Sequence, residues 1–240
     1  MARHLTTVLT GFGAAAASVL LLAGCASPGS AGGSTDGSDD AAVELELDAT
    51  WLDDGRVVGL VTQGSSTCVP SATDVSYENG VLSVTLDDGE AQACTKDLVP
   101  RLSLVSLPED VDPTASLEIA VTYGDAVGDT DLDGIAGLGS GSAEEGTPSA
   151  AWVGDDELAL LTWGSSSRAC YPVAESIVVD DGVITATMAE PAADQVCTSD
   201  YGPQGSLLFV DGAADDTEYE LVLTGFGFEG DVRVPIIGTP

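Results

Sequence analysis

Two stretches of this chain, opening at Trp51 and at Trp152, carry the same landmarks in the same order. That repetition limits the available folds more than any other feature of the sequence. Thr62-Gln63-Gly64-Ser65-Ser66 matches Thr162-Trp163-Gly164-Ser165-Ser166, and Cys68-Val69-Pro70 matches Cys170-Tyr171-Pro172. Gly80-Val81-Leu82 matches Gly182-Val183-Ile184, and Cys94-Thr95-Lys96-Asp97 matches Cys197-Thr198-Ser199-Asp200. Pro100 and Ser103-Leu104 match Pro203 and Ser206-Leu207, and Glu118–Thr122 matches Glu220–Thr224. A unit that repeats once over about a hundred residues is a domain rather than a solenoid turn. The sequence therefore reads as a tandem duplication, with a first β-domain over 43–137, a linker over 138–147 and a second β-domain over 148–240.

The repeat also assigns the disulfides. Of five cysteines, Cys68/Cys94 and Cys170/Cys197 stand 26 and 27 positions apart at matching places, so one bridge per copy is expected. Each closes a loop whose lost chain entropy is worth about 3 kcal/mol.

Within each copy the hydrophobic pattern has period two. Leu82, Val84 and Leu86 alternate with polar residues, as do Ile184, Ala186 and Met188, which places each trio on one buried face of a strand. Asn79-Gly80 and Asp181-Gly182 precede these strands and favour the positive φ angles of a tight hairpin. Strands are expected near 43–51, 56–63, 73–78, 101–107, 116–123 and 128–135, and again near 148–153, 157–163, 174–180, 205–210, 218–226 and 231–237. The fold class is all-β: two tandem small β-sandwich domains of immunoglobulin-like size, with a Greek-key barrel as the alternative. Trp51 and Trp152 are expected to plug the two cores.

The N-terminus reads as an export signal. Arg3 and His4 give a positive start, an uncharged apolar stretch follows to Ala23, and Leu22-Ala23-Gly24-Cys25 closes it. These residues resemble a bacterial lipoprotein signal over 1–24 with its lipobox. The resemblance implies cleavage before Cys25, lipidation of that thiol and anchorage at the outer face of the cell membrane. Residues 25–42 then form a flexible Ser/Gly/Asp tether. The lipobox, the Trp…Gly-Ser-Ser…Cys-x-Pro pattern and the Cys-Thr-x-Asp element together resemble tandem β-domain envelope lipoproteins of an uncharacterised type from GC-rich, Gram-positive-type bacteria. That resemblance implies location and fold, not a mechanism. Single occurrences of Lys (Lys96) and Asn (Asn79) fit a GC-rich genome.

Charge and composition exclude much. The chain has 40 Asp plus Glu against 6 Lys plus Arg, a formal charge of −34. Such a surface repels phosphate and argues against nucleic acid as a partner. The only histidine is His4, inside the signal, so the exported part can build neither a Ser-His-Asp triad nor a His-ligated metal site. Carboxylate chemistry remains, including a glycoside hydrolase built on an acid pair, but acids that cluster in turns such as Asp53-Asp54-Gly55 first of all serve turn geometry and solubility. Asp129-Thr130-Asp131-Leu132-Asp133-Gly134 matches the opening of a calcium loop, with Asp129, Asp131 and Asp133 as ligands; position twelve is Ser140 where a bidentate Glu is expected. The repeat offers a rival account, an acidic last strand equivalent to Gly230–Val234.

Features shared by both copies belong to the fold, and features unique to one copy are the functional candidates. Trp163 replaces Gln63, Tyr171 replaces Val69 and Tyr201 replaces Leu98, with Arg168 nearby. These four define a candidate ligand patch beside the second disulfide, suited to a sugar or a peptide, or else packing around that bridge. The function expected is a non-enzymatic binding or scaffold module for a cell-wall polymer or an envelope protein, with no cofactor unless calcium binds.

Overall fold

The computed structural model describes residues 43–89, 93–141, 144 and 146–240. The signal segment, Cys25 and the tether lie outside the described residues. Residues 41–240 form one compact unit. It is all-β, with two short 3-10 turns at Asp53–Gly55 and Arg168–Cys170 as the only helical pieces among the described residues.

The strands fall close to the positions expected from the sequence. The first half holds β1 (Val43–Glu44), β2 (Leu47–Leu52), β3 (Val57–Gly64), β4 (Ser71–Glu78), β5 (Val81–Asp87), β6 (Val99–Ser106), β7 (Leu117–Tyr123) and β8 (Ala126–Leu132). The second holds β9 (Ser149–Trp152), β10 (Glu157–Gly164), β11 (Ala174–Asp180), β12 (Val183–Met188), β13 (Gly202–Phe209), β14 (Glu220–Gly225) and β15 (Phe228–Ile237). Both expected hairpins form: Glu78 pairs with Val81 across Asn79-Gly80, and Asp180 with Val183 across Asp181-Gly182. All four turn residues have positive φ, the geometry that a two-residue type I′ turn requires.

The two halves pair strand for strand. β2-β3-β6 corresponds to β9-β10-β13, and β8-β7-β5-β4 to β15-β14-β12-β11. β5 pairs with β7 in parallel, as β12 does with β14. The reason lies in the connection: the chain leaves β5, crosses to β6 in the other sheet, and returns to β7 running in its original direction. These parallel pairs differ from the all-antiparallel pairing of an immunoglobulin sandwich. A second difference is continuity, because Ile236 and Ile237 at the end of β15 pair with Ala150 and Ala151 of β9. The second half is thereby one seven-stranded sheet, β11-β12-β14-β15-β9-β10-β13, whose two edges are β11 and β13.

Three apolar layers hold these sheets. Trp51, Leu60, Leu82, Leu86, Ile119 and their neighbours fill the first half. Trp152, Leu158, Leu160, Ile184, Met188 and Leu223 fill the second. Both tryptophans are buried in the cores, as expected, and Trp51 Nε1 donates to the Asp133 carbonyl at 2.8 Å. The third layer joins the halves: Leu52, Val57, Val61 and Leu102 meet Ala151, Val153, Ala159 and Leu161. Here β2-β3-β6 and β9-β10-β13 lie face to face, so both faces of each sheet are buried. This explains the unbroken apolar runs Val57–Val61 and Leu158–Leu161. One position shows how the two facing surfaces fit each other. Leu102 and Gly205 are equivalent in the two halves, and a Cβ at Gly205 would stand 3.2 Å from the Leu102 and Leu104 side chains. A hydrogen bond from Asp53 N to Ser149 Oγ at 2.9 Å closes the seam at one end.

This joint layer makes the halves one cooperative unit. Leu102→Ala is expected to lower unfolding stability by about 2–3 kcal/mol through lost burial and the cavity left behind. In urea denaturation followed by tryptophan fluorescence, both halves should melt in a single transition, which the variant shifts to lower urea without splitting it.

Candidate functional site

Both disulfides form as the repeat predicts, Cys68–Cys94 and Cys170–Cys197, with Cα atoms 5.5 and 5.9 Å apart. Each fastens the turn after the long central strand to the segment entering β6 or β13. An almost identical polar network surrounds them. Ser66 N donates to the Asp97 carboxylate at 3.3 Å, and Ser166 N to Asp200 at 3.1 Å. Ser65 Oγ and Thr95 Oγ1 are 2.7 Å apart, as are Ser165 Oγ and Thr198 Oγ1. Thr95 Oγ1 donates to Asp97. Each aspartate therefore caps the Gly-Ser-Ser turn across the bridge as well as its own Cys-Thr step. Hydrogen bonds from Ser66 and then Thr95 hold the Asp97 carboxyl down at about 2, and those from Ser166 and Thr198 hold Asp200 at about 2.

Beneath each turn lies one long polar side chain. Arg101 is buried, and its guanidinium donates to the Cys68 carbonyl at 2.6 Å and to the Gln63 carbonyl at 3.3 Å. The equivalent residue, Gln204, donates from Nε2 to the Ser165 carbonyl at 2.8 Å and the Cys170 carbonyl at 3.2 Å. Gly64 and Gly164 make room for them, since a Cβ would lie 2.3 Å from the Arg101 guanidinium or 2.9 Å from the Gln204 amide oxygen. Arg101 also sits 5.5 Å from the centre of the Tyr123 ring, whose hydroxyl donates to Asp88 at 2.7 Å. Sequence reading missed this pair of supports. The signal was present, because position 101 against position 204 is one of the residue changes the repeat exposes.

The candidate patch divides in two. Trp163, near the end of β10, stacks on Tyr201 with ring centres 6.0 Å apart and planes inclined by 21°. Trp163 is half-buried and Tyr201 is 68% exposed, so the stack offers an aromatic face to solvent. The Trp163 Nε1 donor is buried and has no partner among the described residues. Trp163 lies on the face of β10 that carries Ala159 and Leu161, so it stands at the rim of the seam between the halves. Arg168 pairs separately with Tyr171, its guanidinium 5.3 Å from the ring centre. Among the described residues no ring contact joins one pair to the other.

Asp129 and Asp131 lie within β8, extended and solvent-facing at alternate positions, with Asp133 just beyond its end. Asp131 stands opposite Glu118 on β7. The run is thus a strand where the calcium reading expected a loop, and among the described residues no group of three or more potential metal ligands converges. A separate cleft of about 300 Å³ opens on the seam, lined by Asp53, Asp54, Leu138, Pro148 and Ile237. Asp53 there adopts φ 52° and is paired to Arg56 at 2.6 Å.

Comparison with known proteins finds no matching family, no matching curated protein and no matching solved structure.

Two outcomes test this geometry. The carboxyls of Asp97 and Asp200 are lowered on folding, so their contribution to stability is complete above the ordinary carboxylate range and is lost as pH falls through about 2. In thermal melts of the Asp97→Asn/Asp200→Asn variant, the deficit against the native chain should be largest at pH 5 and shrink towards pH 2. For the buried support, Arg101→Gln copies the second half and keeps a donor for the Cys68 carbonyl. It should be more stable than Arg101→Leu by about 1–3 kcal/mol in chemical denaturation, because leucine leaves that carbonyl unpaired.

Proposed function

We propose that the chain is an extracytoplasmic lipoprotein, held at the outer face of the bacterial cell membrane by lipid on Cys25 and a tether over 26–42. Its folded part is a non-enzymatic binding module that arose by duplication of a small two-sheet sandwich. Two disulfides support an oxidising compartment. Matching strand order and matching disulfide networks support duplication.

The observation that carries the binding reading is the Trp163–Tyr201 stack, placed where the first half has Gln63 and Leu98. An exposed aromatic face of this kind suits the apolar face of a sugar ring. With a formal charge of −34, the protein would repel a polyanionic wall polymer but not an uncharged glycan. The ligand proposed is therefore the glycan of the cell wall. The first half then serves as the rigid support that holds the second away from the membrane.

Co-sedimentation of the full-length protein, in detergent, with purified wall glycan tests this. Tyr201→Leu, which installs the residue of the first half, should weaken binding roughly tenfold, the worth of one buried aromatic contact, with an unchanged melting temperature. A native chain that stays in the supernatant, or a variant that sediments equally well, contradicts the reading. Cys25→Ala should move the protein from the membrane fraction to the soluble one, and retention in the membrane contradicts the anchor.

A further inference from the structure

The seven-stranded sheet of the second half begins at β11 and ends at β13, and both edges border the same groove. Its volume is about 440 Å³, and it is lined by β11 with the preceding Val173 on one side and by Leu207, Leu208, Phe209 and Asp211 on the other. The two strands are tied at one point, where Ser206 Oγ donates to the Pro172 carbonyl at 2.8 Å. The first half has the same tie, Ser103 Oγ to the Pro70 carbonyl at 2.8 Å, but there the corresponding strands β4 and β6, though not hydrogen-bonded to each other, approach more closely. In the second half the two edge strands of one sheet are thus separated by a groove.

Two residue changes accompany that groove. Val173 is 65% exposed and Phe209 is 54% exposed, and both positions are serine in the first half, Ser71 and Ser106. Large apolar side chains at strand edges are an association hazard that proteins ordinarily avoid. Here they flank a groove whose two walls each carry one strand edge with unpaired main-chain N–H and C=O groups. An extended peptide laid between such edges gains main-chain hydrogen bonds, and its apolar side chains can meet Val173 and Phe209.

We propose that this groove takes an extended, basic-apolar segment of a partner protein as an added strand between β11 and β13. Charge complementarity selects the partner. Glu175 and Asp211 line the groove and no lysine or arginine does. A second copy of this chain brings a charge of −34 against an equal one, whereas a segment carrying Lys or Arg between apolar residues is attracted. The proposal is independent of the glycan reading, which concerns the Trp163–Tyr201 face.

The test uses a fluorescent ten-residue peptide of alternating Lys and Val, titrated into the full-length protein and read by anisotropy. Saturable binding is expected. It should fall roughly tenfold or more in Val173→Ser/Phe209→Ser, which installs the residues of the first half, while Tyr201→Leu leaves it unchanged. Replacing the central Val of the peptide by Pro, which cannot donate to a ladder, should abolish binding. Three results would overturn the proposal: equal binding by the serine variant, equal binding of the Pro peptide, or equal binding of an alternating Asp-Val peptide. So would a dimer of the native chain in sedimentation that the serine variant dissolves, since the groove would then serve self-association.

Discussion

The face-to-face contact of β2-β3-β6 with β9-β10-β13 is the interaction on which the rest of the molecule depends. Each half has its own core, but a three-stranded sheet covered on only one side would leave Val57, Val61, Leu102 or Leu161 in water. Burying such side chains is worth about 1.5–3 kcal/mol each, so the joint layer supplies stability that neither half has alone. It also fixes orientation. Leu102 fits against Gly205, the equivalent residue, as a knob into a hole. Facing surfaces that are complementary in this way hold each other in one register.

That rigid joint determines what the ends of the strands can present. The disulfides and the capped Gly-Ser-Ser turns anchor the outlets of β3 and β10, and Arg101 and Gln204 brace those turns from below. In the first half this end carries Gln63, Val69 and Leu98. In the second the same scaffold carries Trp163, Tyr171 and Tyr201. The scaffold is costly to change and is nearly the same twice; the side chains it displays are not. The contrast repeats at the sheet edges, where the first half has Ser71 and Ser106 at the positions of Val173 and Phe209 in the second.

Much of this was legible in the sequence. Aligning the two copies assigned the disulfides, the hairpins at Asn79-Gly80 and Asp181-Gly182, the buried tryptophans and most strands. The inter-half layer was not recognised, although Val57–Val61 and Leu158–Leu161 carried its signature. Period-two alternation marks a strand buried on one face, and these runs lack it because both of their faces are covered. The parallel pairs escaped for another reason: which strands cross between sheets depends on tertiary connection, not on local pattern. Asp129-Thr130-Asp131-Leu132-Asp133 looked like a calcium loop because alternating aspartates suit either a ligand loop or a wet strand face. The pairing of Asp131 with Glu118 places it in a strand. Of the candidate patch, Trp163 and Tyr201 come together and Arg168 joins Tyr171, a partition that depends on how the second disulfide loop folds back and not on spacing along the chain.

The proposed function is a division of labour, in which the second half binds and the first supports it. Hydrogen–deuterium exchange of the full-length protein, with and without purified wall glycan and the alternating Lys-Val peptide, tests it directly. New protection is expected around Trp163 and Tyr201 and along β11 and β13, and none around Gln63 and Leu98 or along β4 and β6. Equal protection in both halves, or protection confined to the first, would contradict it.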